Sequence, residues 1–129
     1  MHINLVAQAT EDCDRLVAQI ARNLGLGDVT TLTEIQHLSG HYGNPIAYVK
    51  IEVPEHKSKK ILGKTIRGLN QQDKEQLRKN LRRYMDEKRK LYLRLDKQEL
   101  YLGRFGLSQL DSVRLVAKTS ENELVGLLD

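Results

Sequence analysis

The chain has 129 residues, of which 40% are hydrophobic and 29% charged, and its formal net charge is +4. This length and composition predict one globular domain and exclude an intrinsically disordered chain. The single cysteine excludes an internal disulfide, and the absence of a long apolar run or a signal-peptide pattern excludes a membrane or secreted protein, so we expect a soluble, cytoplasmic one.

The first part of the chain predicts a strand, a helix and a β-hairpin. The strand lies within residues 2–9, and an amphipathic helix follows over 11–24, with acidic residues in its first turn and apolar residues three and four apart. Residues 29–38 and 46–53 alternate as strands do, and the sequence GHYGNP between them has the composition of a turn. These two strands are expected to pair antiparallel.

The second part of the chain supplies the remaining elements. They are predicted to be helices over 58–69 and 71–88, strands over 91–96 and 112–118, a helical turn over 97–102, and a terminal helix that begins at Ser120. Hairpins and helices are mixed in this order. The predicted fold class is therefore α+β, a single domain over residues 1–129 with a largely antiparallel sheet and helices packed on it.

Residue patterns that carry catalysis are missing from the sequence. The four histidines have no metal-ligand spacing, and there is no glycine-rich phosphate-binding motif. Paired carboxylates are adjacent along a helix and therefore point apart. Cys13, flanked by two aspartates, is interpreted as a small buried residue. We expect no catalytic residues, no metal and no cofactor.

Positive charge is concentrated in one segment. Residues 57–90 hold thirteen Lys and Arg against four Asp and Glu, a net charge of +9, whereas the rest of the chain has a net charge of −5. If the two helices of this segment pack side by side, they form a continuous field that suits a phosphate backbone. A solvated helix face is the alternative. The candidate RNA contacts here are Lys60, Lys64, Arg67, Arg78, Lys79, Arg82 and Arg83.

A second candidate contact region combines the hairpin loop with basic residues near the end of the chain. Glycine hinges in the loop would allow it to clamp a nucleic-acid backbone or to stack a base on Tyr42, although they equally suit a plain hairpin turn. The residues assigned to this region are His41, Tyr42, Asn44, Arg94, Lys97 and Arg104.

Several stretches of the sequence resemble a known family. The run GHYGNPI from Gly40, the run LYLRLDKQ from Leu91, and then Tyr101, Gly103 and Asp111 resemble an archaeal family of small RNA-binding proteins described as predicted exosome subunits. The entry into the first helix, Ala9-Thr10-Glu11-Asp12, matches as well. The resemblance implies a fold similar to the 5S-rRNA-binding ribosomal protein of the large subunit. It also implies a role in archaeal RNA processing or degradation, with exosome components as partners.

Three functions follow from these observations. The first is a non-catalytic RNA-binding protein, which the scarcity of aromatic residues directs towards structured RNA. The second is a protein-interaction module or homodimer that docks through an exposed strand edge or the terminal helix, with Leu124, Val125, Leu127 and Leu128. The third, a nuclease, would need converging carboxylates that the sequence does not place together.

Overall fold

The computed structural model describes residues 1–108 and 110–129, except for the side chain of His41. Five strands form one antiparallel sheet in the order β2-β3-β1-β5-β4. They are β1 (His2–Ala7), β2 (Thr33–Ser39), β3 (Pro45–Glu52), β4 (Lys90–Asp96) and β5 (Ser112–Lys118). The predicted hairpin is confirmed, since β2 and β3 pair antiparallel, and the predicted bounds of β5 agree with the structure.

Within the described residues, six α-helices pack with this sheet. They are α1 (Cys13–Leu24), α2 (Glu55–Gly68), α3 (Gln71–Lys79), α4 (Leu81–Tyr84), α5 (Lys97–Tyr101) and α6 (Glu121–Leu128). The single-domain α+β class predicted from the sequence is confirmed. None of the helices within the described ranges has both the length and the apolar character needed to cross a membrane.

The predicted helix over 71–88 is wrong, because helical geometry is interrupted after α3 and ends after α4. At Asn80 the backbone leaves helical geometry, and the Asn80 side chain donates a hydrogen bond of 2.9 Å to the carbonyl of Gln76. After α4 the Asp86 carboxylate accepts from the backbone amides of Lys88 and Lys90, and Arg89 takes a φ of +62°. Local side-chain bonds of this kind compete with helical bonds and turn the chain into β4.

The start of α1 and the start of β2 also differ from the predicted bounds. Asp12 caps α1 by accepting a hydrogen bond of 3.2 Å from the amide of Arg15, so Glu11 and Asp12 precede the first turn instead of lying in it. Residues 30–32 form a 3-10 turn before β2, held by the carboxylate of Asp28, which accepts from both the amide and the hydroxyl of Thr30.

Strand alternation divides the sheet into a buried face and an outer face. The buried face carries the aliphatic core of β1, β3, β4 and β5, which includes Ile3, Leu5, Val49, Ile51, Leu91, Leu93, Leu95, Val113 and Leu115. Across the outer face, the register places Lys50, Asn4, Arg114 and Arg94 in one row, each opposite the next on neighbouring strands. The basic end of this row lies on β5 and β4, and the site described below is built on it.

Candidate nucleic-acid interface

A groove lies where the outer face of β4 and β5 meets α3 and α4. Its volume is about 530 Å³, within the range of about 300–1,000 Å³ that is usual for ligand sites. The residues that line it are Gln76, Asn80, Arg83, Tyr84, Tyr92, Arg94, Leu107, Ser108 and Arg114. This set contains three arginines and two tyrosines but no carboxylate. We refer to it as the arginine groove.

The three arginines of the arginine groove come from three different elements. Arg83 is on α4, Arg94 is on β4 and Arg114 is on β5. Arg94 and Arg114 lie directly opposite each other across two antiparallel strands, an arrangement in which like charges destabilise a sheet. Within residues 1–108 and 110–129, no carboxylate forms an ion pair with any of the three. The arrangement is therefore suited to an anionic ligand.

Two tyrosines are held in fixed positions in the arginine groove. The hydroxyl of Tyr92 donates a hydrogen bond of 3.0 Å to Asp86, and this bond raises the pKa of Tyr92. The guanidinium of Arg114 lies 5.1 Å from the centre of the Tyr92 ring, as in a cation–π pair. The hydroxyl of Tyr84 accepts a hydrogen bond of 2.9 Å from the side-chain amide of Gln76. The rings are thus oriented before any ligand arrives.

Some of the basic residues that the sequence nominates on 71–88 belong to this region. Arg83 lines the arginine groove, and Lys79 and Arg82 are exposed on the same two short helices. Arg78 has a different environment, because its guanidinium pairs with Glu75, donates to the carbonyl of Leu128 at 2.9 Å and lies 3.4 Å from the carboxylate of Asp129. These contacts fix Arg78 to the C-terminal end of α6.

The basic residues of α2 form a surface of their own. Lys60, Lys64 and Arg67 are all exposed. However, α2 packs mainly against α1 and α6, whereas α3 packs against α4 and α6. The two basic helices are therefore not packed side by side, which was the condition for a continuous field, and α6 contacts both of them.

Lys97 does not lie on the surface, as an RNA contact would have to, because its side chain is completely buried. Its ammonium group donates to the carbonyl of Val6 at 2.8 Å and pairs with the carboxylates of Glu11 at 2.8 Å and Asp111 at 2.9 Å. All three N–H donors of the lysine are used by these contacts. The prediction that Lys97 contacts RNA is corrected accordingly.

The second contact region predicted from the sequence is not assembled as one surface. The hairpin loop follows β2, at one edge of the sheet, while Arg94 lies on β4, at the opposite edge. Four strand spacings of about 4.8 Å separate these edges by roughly 19 Å. Tyr42 is 91% exposed in the loop, with a φ of +58°, and Asn44 is exposed beside it. The side chain of His41 lies outside the described residues.

Arg104 occupies an acidic environment. Its guanidinium forms an ion pair of 2.6 Å with Glu99, and the pocket that it lines also contains Asp73 and Asp96. Asp96 caps α5 by accepting from the amide of Glu99 at 2.9 Å. The positive charge of Arg104 is therefore offset within the chain, which disfavours it as a phosphate contact.

Sequence reasoning missed Tyr84, Tyr92 and Arg114 as functional candidates. A signal for two of them was present, because Tyr92 alternates with Leu91 and Leu93, and Arg114 alternates with Val113 and Leu115, so both belong to the polar faces of their strands. That β4 and β5 pair, and that α3 and α4 close one side of the groove, depends on tertiary contacts that no local pattern reveals.

A metal site is not found in the described residues, since no group of three His, Cys, Asp or Glu side chains within residues 1–108 and 110–129 is close enough to hold an ion. The carboxylates of Glu11 and Asp111 do come together in this part of the chain, but they do so around the ammonium group of Lys97.

Comparison with known proteins places the chain among archaeal relatives. A family model described as RNA binding matches residues 1–119. The RNA-binding protein PAB1135 of Pyrococcus abyssi is 31% identical over 81 residues, covering 62% of this chain and about half, 53%, of that protein. The uncharacterized protein MJ0213 of Methanocaldococcus jannaschii is 29% identical over 105 residues, 78% of this chain and 70% of the relative.

A solved structure has the same fold. The crystal structure of protein SSO0741 from Sulfolobus solfataricus superimposes with a TM-score of 0.77, covering 98% of this chain and 95% of that one, at 20% sequence identity. An identity this low supports a shared architecture and carries nothing about contact residues.

Proposed function

Since the chain belongs to the family described as RNA binding, we propose that it is a non-catalytic RNA-binding protein that holds phosphates in the arginine groove. The observation that carries this proposal is the convergence of Arg83, Arg94 and Arg114, none of which has an ion-pair partner in the described part of the chain. Guanidinium groups bind phosphate through paired N–H donors, and each phosphate neutralised releases condensed counterions.

Further phosphate contacts are proposed next to the arginine groove and on two other surfaces. Lys79 and Arg82 extend the arginine groove along α3 and α4, and Lys60, Lys64 and Arg67 form a separate patch on α2. The hairpin loop, with Tyr42, Asn44 and His41, is a more distant contact at the opposite edge of the sheet. Contacts of this kind position RNA without reading its sequence.

A second part of this proposal is the cellular location of the protein, the process in which it acts and its partners. We propose that the protein acts in the cytoplasm of an archaeon, in RNA processing or degradation, and as an accessory to the exosome. The archaeal origin of the relatives supports the setting. The exosome association rests on the family resemblance in the sequence.

A protein-interaction role is the alternative, and one structural feature favours it. β2 is an edge strand with Ile35 and Leu38 exposed by 39% and 41%, so another chain could pair with it. The terminal helix is a poor docking element, because its Leu124 and Leu128 are buried in the core of this chain. A homodimer would therefore form through β2.

The arginine groove predicts a specific salt dependence of RNA binding. For the triple variant R83Q/R94Q/R114Q binding an RNA hairpin, we expect a shallower fall of the logarithm of the binding constant with the logarithm of the salt concentration. This salt slope should be smaller by about 2 to 3, since each lost phosphate contact removes about 0.9 from it. Electrophoretic mobility shifts or fluorescence anisotropy between 50 and 300 mM salt, roughly the range over which such slopes are resolved, provide the measurement. Duplex DNA and single-stranded RNA complete the ligand set.

The control variant is R15Q/R22Q/K57Q, which removes the same charge from exposed positions on α1 and α2. It should change the slope much less than the groove variant does. Equal slopes for the two variants would remove the arginine groove from the proposal, and salt-independent binding by the unsubstituted protein would contradict a phosphate-based interface altogether.

A further inference from the structure

The arginine groove contains aromatic rings and side-chain amides that phosphate binding does not require. Besides the three arginines, it presents the ring of Tyr84, the pair formed by Tyr92 and Arg114, and two side-chain amides. From this combination we propose that the groove receives one unpaired base of the bound RNA, together with its flanking phosphate. The inference rests on the proposed function and deepens it.

Stacking surfaces are the first support. Unpaired bases in protein–RNA complexes stack on aromatic rings and on the planes of guanidinium groups. The Arg114 guanidinium is backed by the Tyr92 ring at 5.1 Å, and the Tyr84 ring, fixed through its hydroxyl by Gln76, comes from α4 on another wall of the groove. A flat heterocycle thus has two surfaces to stack on.

Hydrogen-bonding groups are the second support. The amide nitrogen of Gln76 donates to Tyr84 and that of Asn80 donates to the Gln76 backbone carbonyl. Among the described hydrogen bonds, neither side-chain oxygen receives a donor. Such oxygens suit the amino and ring N–H groups on the edge of a base.

A paired base cannot use these groups. In an A-form duplex the bases are stacked on one another, and proteins contact mainly phosphates, 2′-hydroxyls and the shallow minor groove. Two of the six aromatic residues of the chain nevertheless line this one site. The ligand is therefore an RNA that displays an unpaired nucleotide, such as a bulge, loop or strand end. This conclusion modifies the earlier preference for structured RNA, which was based on the aromatic composition alone.

Two RNA hairpins that differ by one nucleotide test the inference. One is fully paired, and the other carries a single bulged 2-aminopurine whose fluorescence falls when it stacks. We expect the protein to bind the bulged hairpin about tenfold more tightly and to quench its fluorescence.

Two substitutions separate stacking from charge. Arg114→Lys keeps the positive charge but removes the guanidinium plane, and Tyr84→Leu removes the ring but keeps an apolar side chain. The double variant Y84L/R114K should bind both hairpins equally and leave the fluorescence unchanged. The control Tyr84→Phe keeps the ring and should retain the preference.

Each outcome bears on a different claim. If the unsubstituted protein binds both hairpins equally and with a steep salt slope, the base site is overturned while the phosphate interface remains. Retention of the preference and the quenching by Y84L/R114K also overturns the base site. If neither hairpin binds at low salt, the proposed function fails together with the inference that rests on it.

Discussion

At the scale of single residues, Lys97 joins three parts of the chain that are far apart in sequence. Its ammonium group bonds to Val6 at the end of β1, to Glu11 before α1 and to Asp111 before β5. Glu11, Lys97 and Asp111 all belong to the stretches that gave the family resemblance, and their mutual contacts give those residues a structural reason to occur together. The sequence could not reveal this, because an isolated lysine at a strand end has the pattern of a solvated side chain.

Replacing Lys97 by methionine tests the structural role of this contact. We expect Lys97→Met to lower the free energy of unfolding by about 3 kcal/mol, because two carboxylates and a carbonyl lose their donor, although the carboxylates can still reach water. Urea denaturation at pH 7 measures the change. Lys90→Met, at an exposed position on β4, should change stability by no more than about 0.5 kcal/mol. A Lys97→Met variant as stable as this control would contradict the role.

Because the pKa of Glu11 is lowered in the folded protein, we expect the protein to lose stability in acid. Burial acts to raise the pKa of Glu11, but hydrogen bonds from Lys97 and the Gln8 backbone, together with attraction to Lys97, outweigh it and lower the pKa below its ordinary value of 4.5. A lowered pKa in the folded state means that the contribution is complete above pH 4.5 and is lost as the pH falls through the folded-state pKa.

Glu11→Gln removes this titrating group. The difference in unfolding free energy between the unsubstituted protein and Glu11→Gln should be constant above pH 4.5 and should shrink below it. Urea denaturation from pH 7 to about pH 3, which brackets the ordinary pKa of a carboxyl group, gives the curve. Glu121→Gln, at an exposed position on α6, should follow the curve of the unsubstituted protein. A difference that stays constant at every pH would rule out the assigned role of Glu11.

At the scale of elements, the junction between α2 and α3 depends on close packing. Gly68 ends α2 against the ring of Phe105, and a Cβ atom added at Gly68 would lie 2.5 Å from the Cδ2 atom of that ring. Contacts this short force a neighbour to move. The ring of Phe105 in turn packs against the hydrophobic core. Gly68 is therefore required because there is no space for a side chain between α2 and the ring of Phe105.

Gly68→Ala should lower the free energy of unfolding by about 1–3 kcal/mol because of this overlap. Gly126→Ala is the matched control, since Gly126 also lies in a helix but has no atom within 4 Å of an added Cβ. The control should be neutral or stabilising by up to about 1 kcal/mol. Thermal or urea unfolding measures both, and Phe105→Leu added to Gly68→Ala should restore part of the loss. Equal stability of the two alanine variants would refute the packing argument.

At the scale of the whole molecule, periodicity predicts elements well and their assembly poorly. Strand alternation identified β5 and the hairpin, because one face of each strand is buried and the other is wet. The arginine groove could not be predicted in the same way. Arg94 and Arg114 are 20 positions apart, and their direct opposition exists only because β4 and β5 pair. The helix over 71–88 failed for a related reason, since Asn80 and Asp86 bond locally to the backbone.

The net charge of the +9 segment is likewise an incomplete guide to the interface. Part of that charge is used inside the molecule, where Arg78 anchors the end of α6. Arg94 and Arg114, which lie outside the segment, supply two of the three arginines of the groove. A surface formed from three elements is described better by which charges lack a partner than by how many lie close together in sequence.

The position of β1 has a consequence for how the protein is made. β1 pairs with β3 on one side and with β5 on the other, so the strand synthesised before the others occupies the centre of the sheet. While a ribosome is still translating the basic helices, β1 can pair only with β3, and its second edge stays open until residues 112–118 have left the exit tunnel. Completion of the sheet, and of the groove built on β4 and β5, therefore waits until β5 has been translated, and a nascent chain that stalls before β5 would present an unpaired strand to the cell's chaperones.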